Sequence, residues 1–193
     1  MLYFPSHSLI SLVSLLQNGQ STELALVGPE GIVGVAVFLG GNSTPFRSVV
    51  QSGGAGLRLP AKALQDEFDN DPGVRKILLR YIQSLITSIA QSGTCNRHHS
   101  IEQQLSRWLL TSMDRLETQE LNMTQELIAN MLGVRREGVT EAAGRLQRRG
   151  IIHYKRGHIK VLDRAQLESS ACECYEVVKR EMDRLDAFFD EES

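Results

Sequence analysis

The sequence lacks any apolar run that approaches the roughly 18 uncharged residues of a membrane-spanning helix. Its apolar start, residues 1–16, is interrupted by Pro5-Ser6-His7-Ser8 and has neither a basic flank nor a small-residue cleavage site. We therefore expect a protein without a secretion signal or a membrane span, and we interpret the first residues as a structural strand.

Cysteine is scarce, with three residues in a chain of 193. An odd number without paired spacing argues against a disulfide framework, so we expect a cytoplasmic protein. Cys172 and Cys174 fall in a segment with a helical pattern, where C-x-C spacing turns two thiols about 200° apart. We interpret them as small, semi-buried residues of a helix, and a redox or metal-binding role is the alternative.

Motifs of catalysis are also missing. The five histidines have no H-x-x-x-H spacing of a metal site, and no serine or cysteine stands in a nucleophile motif. We therefore expect neither an enzyme nor a bound metal or cofactor.

The charges are nearly balanced overall, with a net charge of −2, but they are unevenly distributed. Residues 121–164 contain nine basic and four acidic residues, a net charge of +5. Residues 165–193 contain three basic and nine acidic residues, a net charge of −6. A basic segment inside an acidic protein is typical of a localised phosphate-binding surface.

The most informative stretch, Gln125 to Arg145, has the pattern of two short helices that meet at Gly133. The apolar positions with helical spacing are Leu127, Ile128, Met131 and Leu132 in the first helix and Val139, Ala142 and Leu146 in the second. Glycine adopts positive φ without steric cost, which suits a tight corner. This pattern predicts a DNA-reading helix-turn-helix.

Two predicted strands follow, residues 150–154 and 158–162, around the basic turn Lys155-Arg156-Gly157. They predict a β-hairpin wing beside the helix pair.

Short apolar runs separated by glycine-rich turns occupy residues 2–60. The runs are LYF, LISLVSLL, ELALV, GIVGVAVFL, FRSVVQ and GLRL. They predict the strands of an antiparallel roll or barrel. About 60 residues are few for such a domain, so we expect it to be either incomplete or completed by a partner.

A long helix is predicted to begin at Asp71-Pro72, because Asp suits the N-cap and Pro the first helical position. Its apolar stripe is Val74, Leu78, Tyr81 or Ile82, Leu85 and Ile89. This spacing is typical of a coiled-coil seam, so we expect the helix to pair with a second copy of itself. The alternative is that the stripe packs on the chain's own roll. Ser92 to Cys95 interrupts the pattern and predicts a hinge.

Two further helices are predicted, at Ser100 to Leu116 and at Arg164 to Phe189. The second carries Leu167, Ala171 and Val178 on one side.

The chain resembles the Crp/Fnr superfamily of bacterial transcription regulators, most clearly over residues 124–162, TQELIANMLGVRREGVTEAAGRLQRRGIIHYKRGHIKVL. YFPSHSLISLV and VGPEGIVGVAVFLGG look like strands and turns of the family's sensor domain. The resemblance implies an α+β fold with an antiparallel roll, similar to cupin and cyclic-nucleotide-binding rolls, a dimerisation helix and a winged helix-turn-helix. It divides the chain into residues 1–70 (roll), 71–96 (dimerisation helix and hinge), 97–164 (DNA-binding domain) and 165–193 (C-terminal helix and acidic tail).

The sequence departs from the family at two places. Family members usually carry several tens of residues before the strand that resembles Leu2 to Val13, so we expect this chain to begin inside the sensor domain. Val35 and Pro45-Phe46 stand where cyclic-nucleotide-binding members have the carboxylate and guanidinium of their phosphate cassette. Without these contacts a cyclic nucleotide is not expected to bind, and the effector is unknown.

The resemblance also implies the residues that contact DNA. They are Thr124, Gln125, Arg135, Arg136, Glu137, Thr140, Glu141, Arg145, Lys155, Arg156 and His158. Arg136 could bond a guanine and Glu137 a cytosine. Glu141 is acidic where family members often have arginine. Its carboxylate would repel phosphate unless it accepts a hydrogen bond from a cytosine amine or pairs with Arg145 or Arg148.

Other assignments within this surface remain open. Thr124 suits either a phosphate contact or a helix cap. Arg135 and Arg136 could also be a solvated basic pair.

The sequence therefore predicts a dimeric, sequence-specific DNA-binding regulator that reads a pseudo-palindromic operator, with RNA polymerase as a further candidate partner. The alternative from another class is a winged-helix module that binds a protein and not DNA.

Overall fold

The structure, a computed structural model, describes residues 1–192. The first half contains β1 (Leu2–Pro5), β2 (Leu9–Leu15), β3 (Ser21–Val27), a 3-10 helix (Val35–Leu39), β4 (Arg47–Ser52), β5 (Gly56–Leu59), α1 (Ala61–Asn70) and α2 (Pro72–His98). The second half contains α3 (Ile101–Leu116), β6 (Glu120–Asn122), α4 (Gln125–Leu132), α5 (Arg136–Arg148), β7 (Ile152–Lys155), β8 (His158–Val161), α6 (Arg164–Ser170) and α7 (Glu173–Glu192). Among these helices, none combines the length and the apolar character needed to cross a bilayer.

The N-terminal strands form an open antiparallel roll of two small sheets. One sheet pairs β1 with β5, and the other has the strand order β3-β2-β4. Leu2, Leu12 and Val27 fill its core together with side chains of α2. Val50 and Leu57 on β4 and β5 are 63% and 74% exposed, so one side of the roll is not covered by the described chain.

The strand predicted within GIVGVAVFL is wrong. Only Val33 forms an isolated bridge, with Tyr3, and the chain then enters the 3-10 helix. Gly34 and Gly40, at φ 111° and 80°, bound that helix in a backbone conformation that an extended strand does not contain.

Helix α2 begins as predicted, because the Asp71 carboxylate accepts hydrogen bonds from the backbone N–H groups of Gly73 and Val74. The segment Ser92 to Cys95, where a hinge is predicted, does not interrupt the helix, which continues through these residues to His98. The chain instead turns just before α3, whose first turn is closed by a capping box between Ser100 and Gln103.

The predicted dimerisation stripe is buried within the chain itself. It comprises Val74, Leu78, Tyr81, Ile82, Leu85 and Ile89, all of which pack in or against the core of the roll. The Tyr81 hydroxyl donates a hydrogen bond to the Ile32 carbonyl at 3.1 Å. Apolar periodicity identifies a buried face without identifying what covers it, and here the chain's own roll does. The exposed large apolar residues of α2 are Leu79 and Ile86.

The predicted C-terminal helix is in fact two helices, α6 and α7, separated at Ala171-Cys172. Helix α7 packs along α2, and its Leu185 joins the core of the roll. Cys172 lies before α7 and Cys174 lies in its first turn, so the expected 200° divergence of their thiols does not apply. Both thiols instead meet Cys95 of α2 and His99, the residue that follows α2.

Helix α3 is the centre of the second core. Trp108 and Leu109 are almost completely buried among residues of α4, α5 and α6. A three-stranded sheet of order β6-β8-β7 closes this domain. Strand β6 was not predicted, because three residues are too short to show a periodic pattern.

Helix α3 also binds the roll through a buried carboxylate. Glu23 of β3 accepts a hydrogen bond from the Trp108 indole N–H at 3.1 Å and another from the Ser11 hydroxyl. Burial raises the pKa of Glu23, because the charged form loses its hydration. At the edge of this junction, Arg115 Nε lies 2.8 Å from Glu30 Oε1.

We expect Glu23→Gln to remove the decrease in the free energy of unfolding that the Glu23 carboxyl group causes as the pH rises. The native chain holds the Glu23 proton more tightly than the unfolded chain, so its contribution to the free energy of unfolding falls as pH rises above 4.5. Glutamine is neutral at every pH and keeps an acceptor for Trp108. The stability of the variant relative to the wild type, measured by urea denaturation, should therefore increase as the pH rises above 4.5.

Two controls accompany this experiment. Glu67→Gln changes an exposed carboxylate of α1 and should leave the pH profile unaltered. Glu23→Ala leaves the Trp108 N–H without its partner and should cost about 1 to 3 kcal/mol. A stability difference between Glu23→Gln and the wild type that is constant with pH would show that the Glu23 charge is not involved.

Candidate nucleic-acid interface

Helices α4 and α5 meet at the predicted corner. Gly133 has φ 66°, and its N–H bonds the carbonyl of Ala129. Thr124 caps α4, since its side chain accepts a hydrogen bond from the Leu127 N–H at 3.2 Å. The buried faces are those predicted: Ile128, Met131 and Leu132 in α4, with Leu127 half-buried, and Val139, Ala142 and Leu146 in α5.

The outer face of α5 is open to solvent. Its exposed side chains near the N-terminus are Arg136, Glu137, Thr140 and Glu141, as the sequence predicts. Side chains near the N-terminal end are the ones a helix places against base edges when it lies in the major groove.

The wing is a hairpin of β7 and β8 joined by the two residues Arg156 and Gly157. Both have positive φ, 51° and 84°, which is the backbone of a type I′ turn. The Tyr154 hydroxyl donates a hydrogen bond to the Met123 carbonyl at 2.7 Å and so attaches the wing to the start of α4. Burial raises the pKa of Tyr154 to about 12, so this donor keeps its proton at neutral pH.

The start of α4, the start of α5 and the wing turn together form one cleft of about 410 Å³. Its lining residues are Thr124, Gln125, Glu126, Arg136, Tyr154, Arg156 and Gly157. Gln125 Oε1 lies 2.7 Å from the Thr140 hydroxyl and links α4 to α5. Residues from three separate predicted elements therefore converge on one surface, which is named the reading face below.

Arg145 lies apart from the reading face. Its Nε is 2.6 Å from Glu102 Oε2 of α3, and Arg149 Nη1 is 2.9 Å from the other oxygen of the same carboxylate. Of the two alternatives for Glu141, the pairing with Arg145 is not the one formed here, because Arg145 is paired with Glu102. Glu102 lies outside the basic segment, so no sequence signal connected it with α5.

His158 and Arg135 each have neighbours outside the reading face. His158 Nε2 is 3.2 Å from Glu120 of β6, and Lys160 Nζ is 2.8 Å from the same carboxylate. The hydrogen bond from Lys160 lowers the pKa of Glu120. Arg135 borders a different cleft, on the side of the roll, together with Thr22 and other residues.

The corner of the helix pair packs directly against the roll. The Ser21 hydroxyl donates to the Asn130 carbonyl at 3.3 Å, and the Thr22 hydroxyl donates to the Met131 carbonyl at 3.4 Å. A Cβ atom on Gly133 would lie 2.9 Å from Thr22 Oγ1. The roll therefore contacts the backbone that determines the angle between α4 and α5.

We expect Gly133→Ala to destabilise the chain by about 1 to 2 kcal/mol, because an L-residue is strained at positive φ. Thermal and urea denaturation measure the loss. Gly93→Ala in α2 is the matched control: a Cβ atom at this position would meet no other atom within 4 Å, so alanine should be neutral or stabilising by up to about 1 kcal/mol. Equal stability of Gly133→Ala and the wild type would contradict the strain at this corner.

Comparison with known proteins agrees with this geometry. Residues 103–170 match the family model described as the Crp-like helix-turn-helix domain. No curated protein matches the sequence significantly.

Solved structures extend the similarity to most of the chain. A transcriptional regulator of the CRP family from Thermus thermophilus has 22% identity and a TM-score of 0.73, over 88% of this chain and 87% of that one. FixK2 from Bradyrhizobium japonicum has 17% identity and a TM-score of 0.73, over 89% and 87%. A Crp/Fnr-family regulator from Eubacterium rectale has 20% identity and a TM-score of 0.67, over 87% and 79%. These similarities confirm the α+β fold that the resemblance to Crp/Fnr regulators implies.

Proposed function

We propose that this chain, which carries a Crp-like helix-turn-helix domain in a Crp/Fnr fold, is a dimeric transcription regulator that binds a pseudo-palindromic DNA operator. The observation that supports the proposal most directly is the convergence of α5, the start of α4 and the wing turn on the reading face. Because its partner is DNA, the protein acts in the cytoplasm. RNA polymerase is proposed as a further partner.

Helix α5 lies in the major groove in this proposal. Arg136 donates two hydrogen bonds to the O6 and N7 atoms of a guanine, and Glu137 accepts one from a cytosine amine. Both side chains are exposed and near the N-terminus of α5, which supports this assignment. Thr140 and Glu141 complete the base-facing surface, and the acidic Glu141 favours a half-site unlike those usual for the family.

The surroundings of the groove supply phosphate contacts. The N-terminus of α4 directs backbone N–H groups outwards at Thr124 and Gln125, and a helix N-terminus favours anions. Lys155 and Arg156 at the wing turn add positive charge. These contacts provide affinity without sequence information and weaken as the salt concentration rises. Arg145 and His158 act indirectly, by holding α5 and the wing in place through Glu102 and Glu120.

A second copy is proposed to pack on the exposed side of α2. Leu79 and Ile86 are 48% and 54% exposed, and they lie two turns apart on one face of the helix. The inward stripe that the sequence suggested is already occupied by the roll. A two-fold axis along this face would set two reading faces on successive half-sites.

The effector is not assigned. Val35 is buried in the core of the roll and Phe46 packs against it, so both act as core residues. They offer no charge to a nucleotide phosphate.

Arg136→Ala should weaken binding to the operator by about 1 to 3 kcal/mol and relax the preference at one base position. Selection of bound sequences from a random DNA pool, followed by titration at two salt concentrations, measures both effects. Lys155→Ala should instead weaken binding to all sequences alike and reduce the salt slope by about one.

Arg180→Ala is the charge-matched control, because it removes a basic side chain from the exposed surface of α7, in the acidic segment. It should leave DNA binding unchanged. A uniform loss on all sequences for Arg136→Ala would reassign Arg136 to phosphate. Absence of salt-dependent DNA binding by the wild type would favour the protein-interaction module.

Leu79→Glu combined with Ile86→Glu should convert the dimer to a monomer, because burying two carboxylates in an apolar interface is costly. Light scattering gives the mass, and operator binding should weaken in parallel. Leu162→Glu is the control, since Leu162 is 56% exposed and follows β8 in the DNA-binding domain. A dimer that persists in the double variant would place the interface elsewhere.

A further inference from the structure

Four potential metal ligands meet where the end of α2 approaches the start of α7. Cys95 lies in the last turn of α2 and His99 is the residue that follows this helix, while Cys172 and Cys174 flank the first residue of α7. The three thiols and one imidazole nitrogen all lie within 4.8 Å of one another. All three cysteines are buried. Residues from two distant parts of the chain thus form one cluster, which is called the cysteine corner below.

We propose that the cysteine corner binds one Zn²⁺ ion in tetrahedral geometry, with Cys95, His99, Cys172 and Cys174 as its ligands. Zinc prefers four sulfur and nitrogen ligands at about 2.0 to 2.3 Å, which separates two tetrahedral sulfur ligands by about 3.8 Å. Cys95 Sγ lies 3.5 Å from Cys172 Sγ, and Cys174 Sγ lies 3.6 Å from His99 Nδ1. These separations suit a single ion between the four atoms.

The orientation of His99 supports the site. Glu173 Oε2 lies 3.3 Å from His99 Nε2, so the carboxylate holds the proton on that nitrogen. The other nitrogen, Nδ1, then presents its lone pair towards the thiols. A carboxylate that orients a ligating histidine in this way is a recurring feature of zinc sites.

The charge around the thiols is also compatible with an ion. Three thiolates, one neutral imidazole and Zn²⁺ carry a net charge of −1. The Arg107 guanidinium is buried beside them, and its Nε donates a hydrogen bond to Cys95 Sγ at 3.2 Å. A buried cation at this distance offsets the remaining negative charge.

Other chemistries fit the corner less well. A disulfide between Cys95 and Cys172 would use two of the four groups and leave Cys174 and His99 without a role. An iron–sulfur cluster places several metal and sulfide atoms between its ligands and needs a wider spacing than 4.8 Å. Thiolates and imidazole together select zinc over the hard cations magnesium and calcium.

A zinc ion in the cysteine corner would link two segments of the chain next to the turn between α2 and α3. His99 immediately precedes the turn that leads from α2 into the DNA-binding domain, and Cys172 follows α6, at the end of that domain. Zinc would therefore fix the C-terminal segment to the helix that connects the roll to the reading face. Metal binding itself does not depend on the proposed function.

The test uses the full chain, purified under reducing conditions, freed of metal and then titrated with Zn²⁺ or Co²⁺. We expect one ion per chain, a Co²⁺ spectrum with the intense visible bands of tetrahedral thiolate coordination, and a higher midpoint of thermal unfolding with zinc. Substoichiometric binding, an octahedral Co²⁺ spectrum, or a Cys95–Cys172 disulfide that forms in place of metal binding would each overturn the proposal.

Variants identify the ligands. Cys174→Ser and His99→Ala should each lower zinc affinity by more than the roughly 10- to 100-fold that Glu173→Gln, which only orients His99, is expected to cost. His98→Ala is the control, because this neighbouring histidine is exposed and lies outside the cluster. The zinc affinity of this variant should equal that of the wild type. Unchanged affinity in the Cys174 and His99 variants would exclude the site. If either ligand variant fails to fold, the spectrum of the wild type and the affinity of Glu173→Gln still decide the question.

Discussion

The structure depends on the two-sided burial of helix α3. One face of α3 forms the core of the DNA-binding domain, and Trp108 reaches from it to the Glu23 carboxylate in the roll. A buried carboxylate requires donors at defined positions, since an unpaired polar group in this setting costs about 1 to 3 kcal/mol. The Glu23 contact therefore restricts how the roll can sit against α3. Strand β3 also contacts the corner at Gly133, so the roll, α3 and the helix pair meet at one junction.

The C-terminal segment completes the half of the molecule that contains the roll. Helix α7 lies along α2 and contributes Leu185 to the core of the roll, although it follows the DNA-binding domain in the chain. The two halves are thus connected twice, through α2 into α3 and through α6 back to α7. The cysteine corner lies where these connections meet. A structural change at the cysteine corner would therefore act on helices that pack on both domains.

Much of this architecture could be predicted from local chemistry. Asp71-Pro72, Gly133 and the Arg156-Gly157 turn each specify a backbone conformation by themselves, so their elements were predicted correctly. The exposed residues Arg136 and Glu137 followed from the helical period of α5. The 3-10 helix at Val35 was not predictable, because its β-branched residues favour a strand until Gly34 and Gly40 are placed at positive φ. Glu102 could not be connected with Arg145, since 43 residues separate the two partners.

The amino-acid sequence by itself determined the helix pair, the wing, the basic segment and the apolar stripe of α2, because capping residues, turn residues and periodicity act over a few neighbouring positions. Only the tertiary structure decided what each surface meets. It covered the α2 stripe with the roll, left Leu79 and Ile86 exposed, engaged Arg145 with Glu102, and brought Cys172 and Cys174 to Cys95 and His99. These outcomes depend on contacts between residues that are distant in the chain, and spacing along the chain carries no information about them.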